Sequence, residues 1–67
     1  MDTLTYSVPD VSCEHCRHAI EGEVSQVAGV ASVAVDLEAR TVTVTGEPLD
    51  DGAIVAAIDD AGYDVAR

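Results

Sequence analysis

Apolar residues recur along this chain with two different periods. Over residues 3–8, Leu4, Tyr6 and Val8 alternate with polar partners, the pattern of a half-buried strand, and Pro9 and Asp10 end it. Cys16, Ala19, Ile20, Val24 and Val27 then fall at helical spacing, with Glu21, Ser25 and Gln26 off the stripe. Ser12 is the expected N-cap of that helix, preceded by apolar Val11, and Gly29 fits its C-terminal stop. Gly22 inside the stretch costs ~1 kcal/mol relative to alanine, so tertiary packing has to hold the helix. Alternation returns at Ala31, Val33, Val35 and Leu37, and again at Val42 and Val44 between three threonines. Glu38-Ala39-Arg40 joins the two runs, which predicts a β-hairpin, and Gly46-Glu47-Pro48 breaks its second strand. Asp50 reads as a second N-cap, with Leu49 placed to staple onto Ile54. Ile54, Ala57, Ile58 and Ala61 make one apolar helical face, Gly62 a C′ residue, and Tyr63 with Val65 a short closing strand.

The element order is strand-helix-strand-strand-helix-strand, each strand with one apolar face and each helix with one apolar stripe. The economical packing places both helices on one face of a four-stranded antiparallel sheet. The expected fold class is therefore α+β, a ferredoxin-like βαββαβ sandwich, in one domain spanning 1–67. No linker or low-complexity stretch divides the chain. Its core has to come from Val, Ile, Leu and Ala, because Phe and Trp are absent.

Size and charge narrow the function. A domain this short buries only roughly 60% of its unfolded surface. It has little room for a multi-group cleft of ~300–1,000 Å³, so an enzyme is not expected. The 3 basic against 13 acidic side chains give a net charge of −10, and the basic residues are all arginine. That balance argues against binding nucleic acid or an anionic membrane, both of which need cationic surface. No run approaches the ~18 apolar residues of a membrane span, and no signal peptide is visible, which places the chain in the cytoplasm. The acidic surplus is compatible with a solvated surface, with docking onto a basic partner, or with adaptation to high salt; composition does not separate these.

Two cysteines, Cys13 and Cys16, are too few for a secreted disulfide scaffold; in a cytoplasmic chain their spacing suggests a metal site or a redox pair. They sit where the first strand gives way to the first helix. Amide N–H groups are unpaired there and the helix dipole favours negative charge, so a thiol should lose its proton more easily. Two thiolates three positions apart can converge on one ion. Soft sulfur selects Cu(I), with Zn(II) next; Zn(II) prefers four ligands, and the motif supplies two.

Cys13-Glu14-His15-Cys16 after a first strand, Gly29-Val30 after the first helix and Ala61-Gly62-Tyr63 after the second resemble the heavy-metal-associated domain family over residues 3 to 66. Stand-alone members of that family are small copper chaperones. The resemblance implies Cys13 and Cys16 as the metal ligands, Cu(I) as the metal (Zn(II) as the alternative), and no catalytic residues. It places Tyr63 in the loop beside the cysteines. It further implies a cytoplasmic carrier that hands Cu(I), by thiolate exchange, to the metal-binding domain of a copper-transporting P-type ATPase. The alternatives are a Zn(II)- or Hg(II)-binding domain of the same family, and a thiol–disulfide oxidoreductase with Cys13 attacking. Two positions depart from the family pattern: Asp10-Val11 stand where Gly-Met is usual. Val11 can take the methionine's apolar role, and Asp10 adds charge near the loop. His15 lies between the ligands and is expected to face solvent, although it could bridge two protomers around a shared metal in a homodimer. His18 is expected on the surface.

Overall fold

Each run of period-2 alternation between residues 3 and 45 is a strand in the computed structural model, which describes residues 1–66. These are β1 (Asp2–Ser7), β2 (Val30–Asp36) and β3 (Thr41–Gly46). Both helical stripes are helices, α1 (Glu14–Val24) and α2 (Asp51–Asp60). β3 is central and pairs antiparallel with both neighbours. Its register sets Val42 between Tyr6 and Val35, and Val44 between Leu4 and Val33. Inward residues of all three strands therefore share one face, and the helices bury it. Tyr6, Val8, Val11, Ile20, Val24, Val42, Val44, Ile54, Ala57 and Ile58 form the core, with no buried polar residue among those described. Tyr6 is more than a strand residue: its hydroxyl donates to Asp51 Oδ1 at 2.8 Å, tying β1 to the first turn of α2.

The expected fourth strand is the principal correction. The described residues form a three-stranded sheet, β1-β3-β2. Tyr63 and Val65 do approach the core and are half-buried. However, the Tyr63 amide is spent on the Ile58 carbonyl (3.3 Å), where it closes the end of α2. The segment meets β1 only at an isolated antiparallel bridge, with the Ala66 amide donating to the Ser7 carbonyl at 2.8 Å. Alternation reports which side of a segment packs inward. A ladder additionally needs a succession of interstrand hydrogen bonds, and here there is one contact.

Several boundaries also move. Cys13, not Ser12, is the N-cap of α1, with φ −151° and ψ 167° and no side-chain capping bond; its carbonyl accepts from the Arg17 amide at 3.1 Å. In β2, a bulge between Val30 and Ser32 shifts the phase, so Val30 packs on the core and Ala31 is exposed. Asp50 is the N-cap of α2 as expected, accepting from the Ala53 amide at 3.3 Å. Gly62 (φ 95°) follows the Ala61 C-cap and ends α2 in a left-handed conformation open to glycine, as expected. Gly29 is not the stop of the first helix: α1 ends at Val24 with Ser25 as its C-cap, and Gly29 (φ 89°) turns the chain just before β2, because the glycine signal marks a left-handed turn and not which element it closes.

Candidate metal centre

The segment leading into the cysteines is fixed from below. Val8 and Val11 are fully buried, and the Val11 amide donates to the Val8 carbonyl at 3.1 Å. Val11 thus holds the apolar anchor position that its place in the sequence suggests. The chain then rises to the surface, and Cys13 leaves it in extended conformation at the start of α1. One helical turn brings Cys16 back alongside. The sulfurs stand 3.3 Å apart, with Cys13 exposed and Cys16 half-buried against the core. That separation is far beyond the ~2.05 Å of a disulfide, so both are free thiols sharing a hydrogen bond.

Tyr63 arrives from the opposite end of the sequence. Gly62 turns the chain after α2 and brings the Tyr63 phenol to the neighbourhood of Cys16. The Tyr63 hydroxyl is the largest of the influences that bring the Cys16 thiol from 9.0 to about 7; the Cys13 side chain and the main chain at Ser12 come next, and partial burial opposes them. Each donor stabilises the thiolate over the thiol. The same proximity raises the Tyr63 phenol above its ordinary value, because its proton is favoured beside the sulfur, and burial and the charge of the two sulfurs push in the same direction. Replacing Tyr63 with Phe removes the leading donor. The midpoint of Cys16 alkylation with pH, followed by site-resolved mass spectrometry, should then move from about 7 upward toward 9.0. Superimposable profiles for parent and Tyr63→Phe would show that the phenol does not act on this sulfur.

His15 and His18 are both exposed, as expected for surface positions on α1. Among the described residues, no group of three or more His, Cys, Asp and Glu is gathered around a common point. His15 therefore does not complete a larger donor set with the cysteines, and the metal-bridged homodimer considered through it receives no support. Arg17 lies next to Cys16 but is engaged along the helix, 3.4 Å from Glu14 and 3.7 Å from Glu21. The main chain at Ser12, which helps lower the Cys16 thiol, could not be singled out from side-chain types; the only advance signal was the general rule that helix starts carry free N–H groups.

What the arrangement can do is narrow. It offers two soft, converging sulfurs on an accessible rim, one with a raised thiolate fraction near neutral pH. No described helix is long and apolar enough to cross a membrane.

Comparison with known proteins agrees with this chemistry. The family model described as the heavy-metal-associated domain matches residues 5–64. The copper chaperone CopZ of Bacillus subtilis is 41% identical over 69 residues, covering 100% of both chains. Human copper-transporting ATPase 2 is 33% identical over 66 residues, which is 96% of this chain and 4% of that much longer protein. Among solved structures, a CopZ metallochaperone superposes with a TM-score of 0.92 at 33% identity, covering 97% of this chain and 100% of its own.

Proposed function

This chain belongs to the heavy-metal-associated domain family, and from that premise we propose that it is a cytoplasmic Cu(I) chaperone: it carries the ion on Cys13 and Cys16 and delivers it to the metal-binding domain of a copper-transporting ATPase. The observation that carries this reading is the sulfur pair, 3.3 Å apart and open to solvent on one side. The similarity of the whole chain to both a stand-alone copper chaperone and a short part of a copper-transporting ATPase supports donor and acceptor built on one scaffold.

The cargo is held by ligands that can be exchanged. With a metal–sulfur bond of ~2.3 Å as the scale, two sulfurs in a near-linear site stand roughly 4.6 Å apart, so the pair has to open by about 1.3 Å as the ion enters. Cys13, exposed at the helix cap, has the room to swing. Two-coordination leaves the ion's flank free. An incoming thiolate adds to make a three-sulfur intermediate, one original Cu–S bond breaks, and its thiolate is released. Cu(I) keeps its charge throughout, and no bond to carbon is made or broken. The reading is carriage rather than catalysis. Cu(I) is favoured over Zn(II) because two thiolates satisfy the former, whereas the latter wants four ligands. The net charge of −10 adds a field that attracts the cation.

The test is a pair of anaerobic measurements on the reduced protein. Parallel chelator competitions should give far tighter binding for Cu(I) than for Zn(II). Protein loaded with Cu(I) and mixed with the separately purified metal-binding domain of a copper-transporting ATPase should then share the metal with it within the mixing time. Tight zinc binding with weak copper binding, or copper that stays on the donor for hours, would overturn the reading.

A further inference from the structure

The connection between β2 and β3 contains a residue whose backbone breaks a local rule. Arg40 is the only non-glycine residue with positive φ among those described, at 58°. The left-handed region disfavours any side chain with a Cβ, and glycine or asparagine is the ordinary occupant of such a turn. Nothing in the turn itself demands arginine. Its earlier half is already closed by Asp36, whose Oδ1 accepts from the amides of Glu38 (2.9 Å) and Ala39 (3.0 Å).

Arg40 does, however, touch the segment that leads to the cysteines, and does so twice. Its carbonyl accepts from the Val8 amide at 2.9 Å. Its guanidinium Nη1 reaches the Pro9 carbonyl at 3.4 Å, across 31 positions of sequence. The Val8 carbonyl in turn accepts from the Val11 amide, so one residue of the hairpin holds consecutive links of the run Val8-Pro9-Asp10-Val11. That run is otherwise an exposed bend between two buried valines, and Cys13 follows two residues later.

We infer that Arg40 is a positioning residue of the metal loop: it accepts a disfavoured backbone conformation in order to pin the Val8–Val11 bend, and through it the approach of Cys13 to Cys16. Where conformational strain persists at a residue that glycine could replace, the side chain is the place to look for a compensating role. Here the compensation is a charged donor on a main-chain acceptor of the loop that carries the ligands. The role in metal retention rests on the chaperone reading; the role in holding the loop does not.

Three variants separate the alternatives. Arg40→Gly relieves the backbone and deletes the guanidinium; Arg40→Lys keeps a cationic donor; Arg40→Asn tolerates the left-handed conformation but is too short to reach Pro9. On metal-free reduced protein, Arg40→Gly should leave the urea midpoint equal or higher, while amide hydrogen exchange at Val11 and the residues after it accelerates selectively. Arg40→Asn should follow it, and Arg40→Lys should restore part of the protection. With metal, the Cu(I) dissociation constant of Arg40→Gly should rise by roughly three- to tenfold, the effect of losing one weak charge-assisted hydrogen bond. Unchanged exchange in the loop, or a lower midpoint with all amides accelerating together, would overturn the proposal by making Arg40 irrelevant or merely structural. If the parent itself fails to bind Cu(I), the chaperone reading falls while the exchange measurement still decides what Arg40 does.

Discussion

Serine at position 13 or 16 should lower Cu(I) affinity by roughly three orders of magnitude or more, a loss of about 4 kcal/mol or greater. Serine is nearly isosteric with cysteine, but its hydroxyl is neutral at pH 7 and a hard oxygen donor. The ion would keep one thiolate where it had two, and soft sulfur is what selects it. The fold should scarcely notice. Cys13 is exposed and makes no capping bond that serine would break, and Cys16 is only half-buried. Urea midpoints should therefore correspond to stability changes within about 0.5 kcal/mol, the usual range for surface positions. Chelator competition under reducing, anaerobic conditions measures the affinity, with circular dichroism as the control on folding. Affinities within tenfold of the parent for either serine variant would remove that cysteine from the site.

The second large effect concerns the scaffold, and its sign depends on which glycine is replaced. Gly46 ends the central strand, paired with Asp2 on one side and Val30 on the other. A Cβ built there would press onto the Gly29 carbonyl oxygen and lie 2.8 Å from the Ala31 amide nitrogen and 2.9 Å from Val30 Cα. All three are main-chain atoms, so no side chain can rotate out of the way. The strands would have to part at this end, at the expense of the Glu47 amide bond to Gly29, now 2.9 Å. Gly46→Ala should cost about 3 kcal/mol or more, against a total of roughly 3–10 kcal/mol for a domain of this size. Gly29→Ala should be at least as damaging, since φ is 89° and the added carbon would meet the Pro48 carbonyl. Gly22→Ala is the internal control. It lies exposed in α1 with nothing within 4 Å of the added carbon, so helix propensity alone applies and stability should rise by ~1 kcal/mol. Urea denaturation of the three variants reads the order directly. A Gly46→Ala protein as stable as the parent would mean that the close strand approach is not maintained in solution.

The charge pattern contributes less to stability than its size suggests. Arg17 pairs with Glu14 and Glu21 at 3.4 and 3.7 Å, and the amino terminus with Glu47 at 3.6 Å. Exposed pairs of this kind are worth at most ~1 kcal/mol and weaken in salt. The fold therefore rests on its apolar core rather than on its surface ion pairs.

Local pattern by itself determined a good deal of this protein. Tyr6, Val42, Val44, Ile20, Ile54 and Ile58 are in the core because period-2 and helical apolar spacing are set by backbone geometry alone. Asp50 as an N-cap and Gly62 as a helix stop are equally local, each a matter of one residue and its own turn. The closeness of the cysteine pair at a helix start was likewise legible, because a spacing of three on a first helical turn leaves few other arrangements; that Tyr63 lies beside it came from the family resemblance, not from spacing. What only the tertiary structure decided involves main-chain groups meeting across long stretches of sequence. Whether the segment after Gly62 forms a ladder depended on where the Tyr63 and Ala66 amides found acceptors, and they found Ile58 and Ser7. The bulge that exposed Ala31, the backbone contact that makes Gly46 irreplaceable and the reach of Arg40 to Pro9 share that origin. A sequence displays its side chains, but every residue other than proline carries the same N–H and C=O, so which of them pair is settled only when the packed chain brings them together.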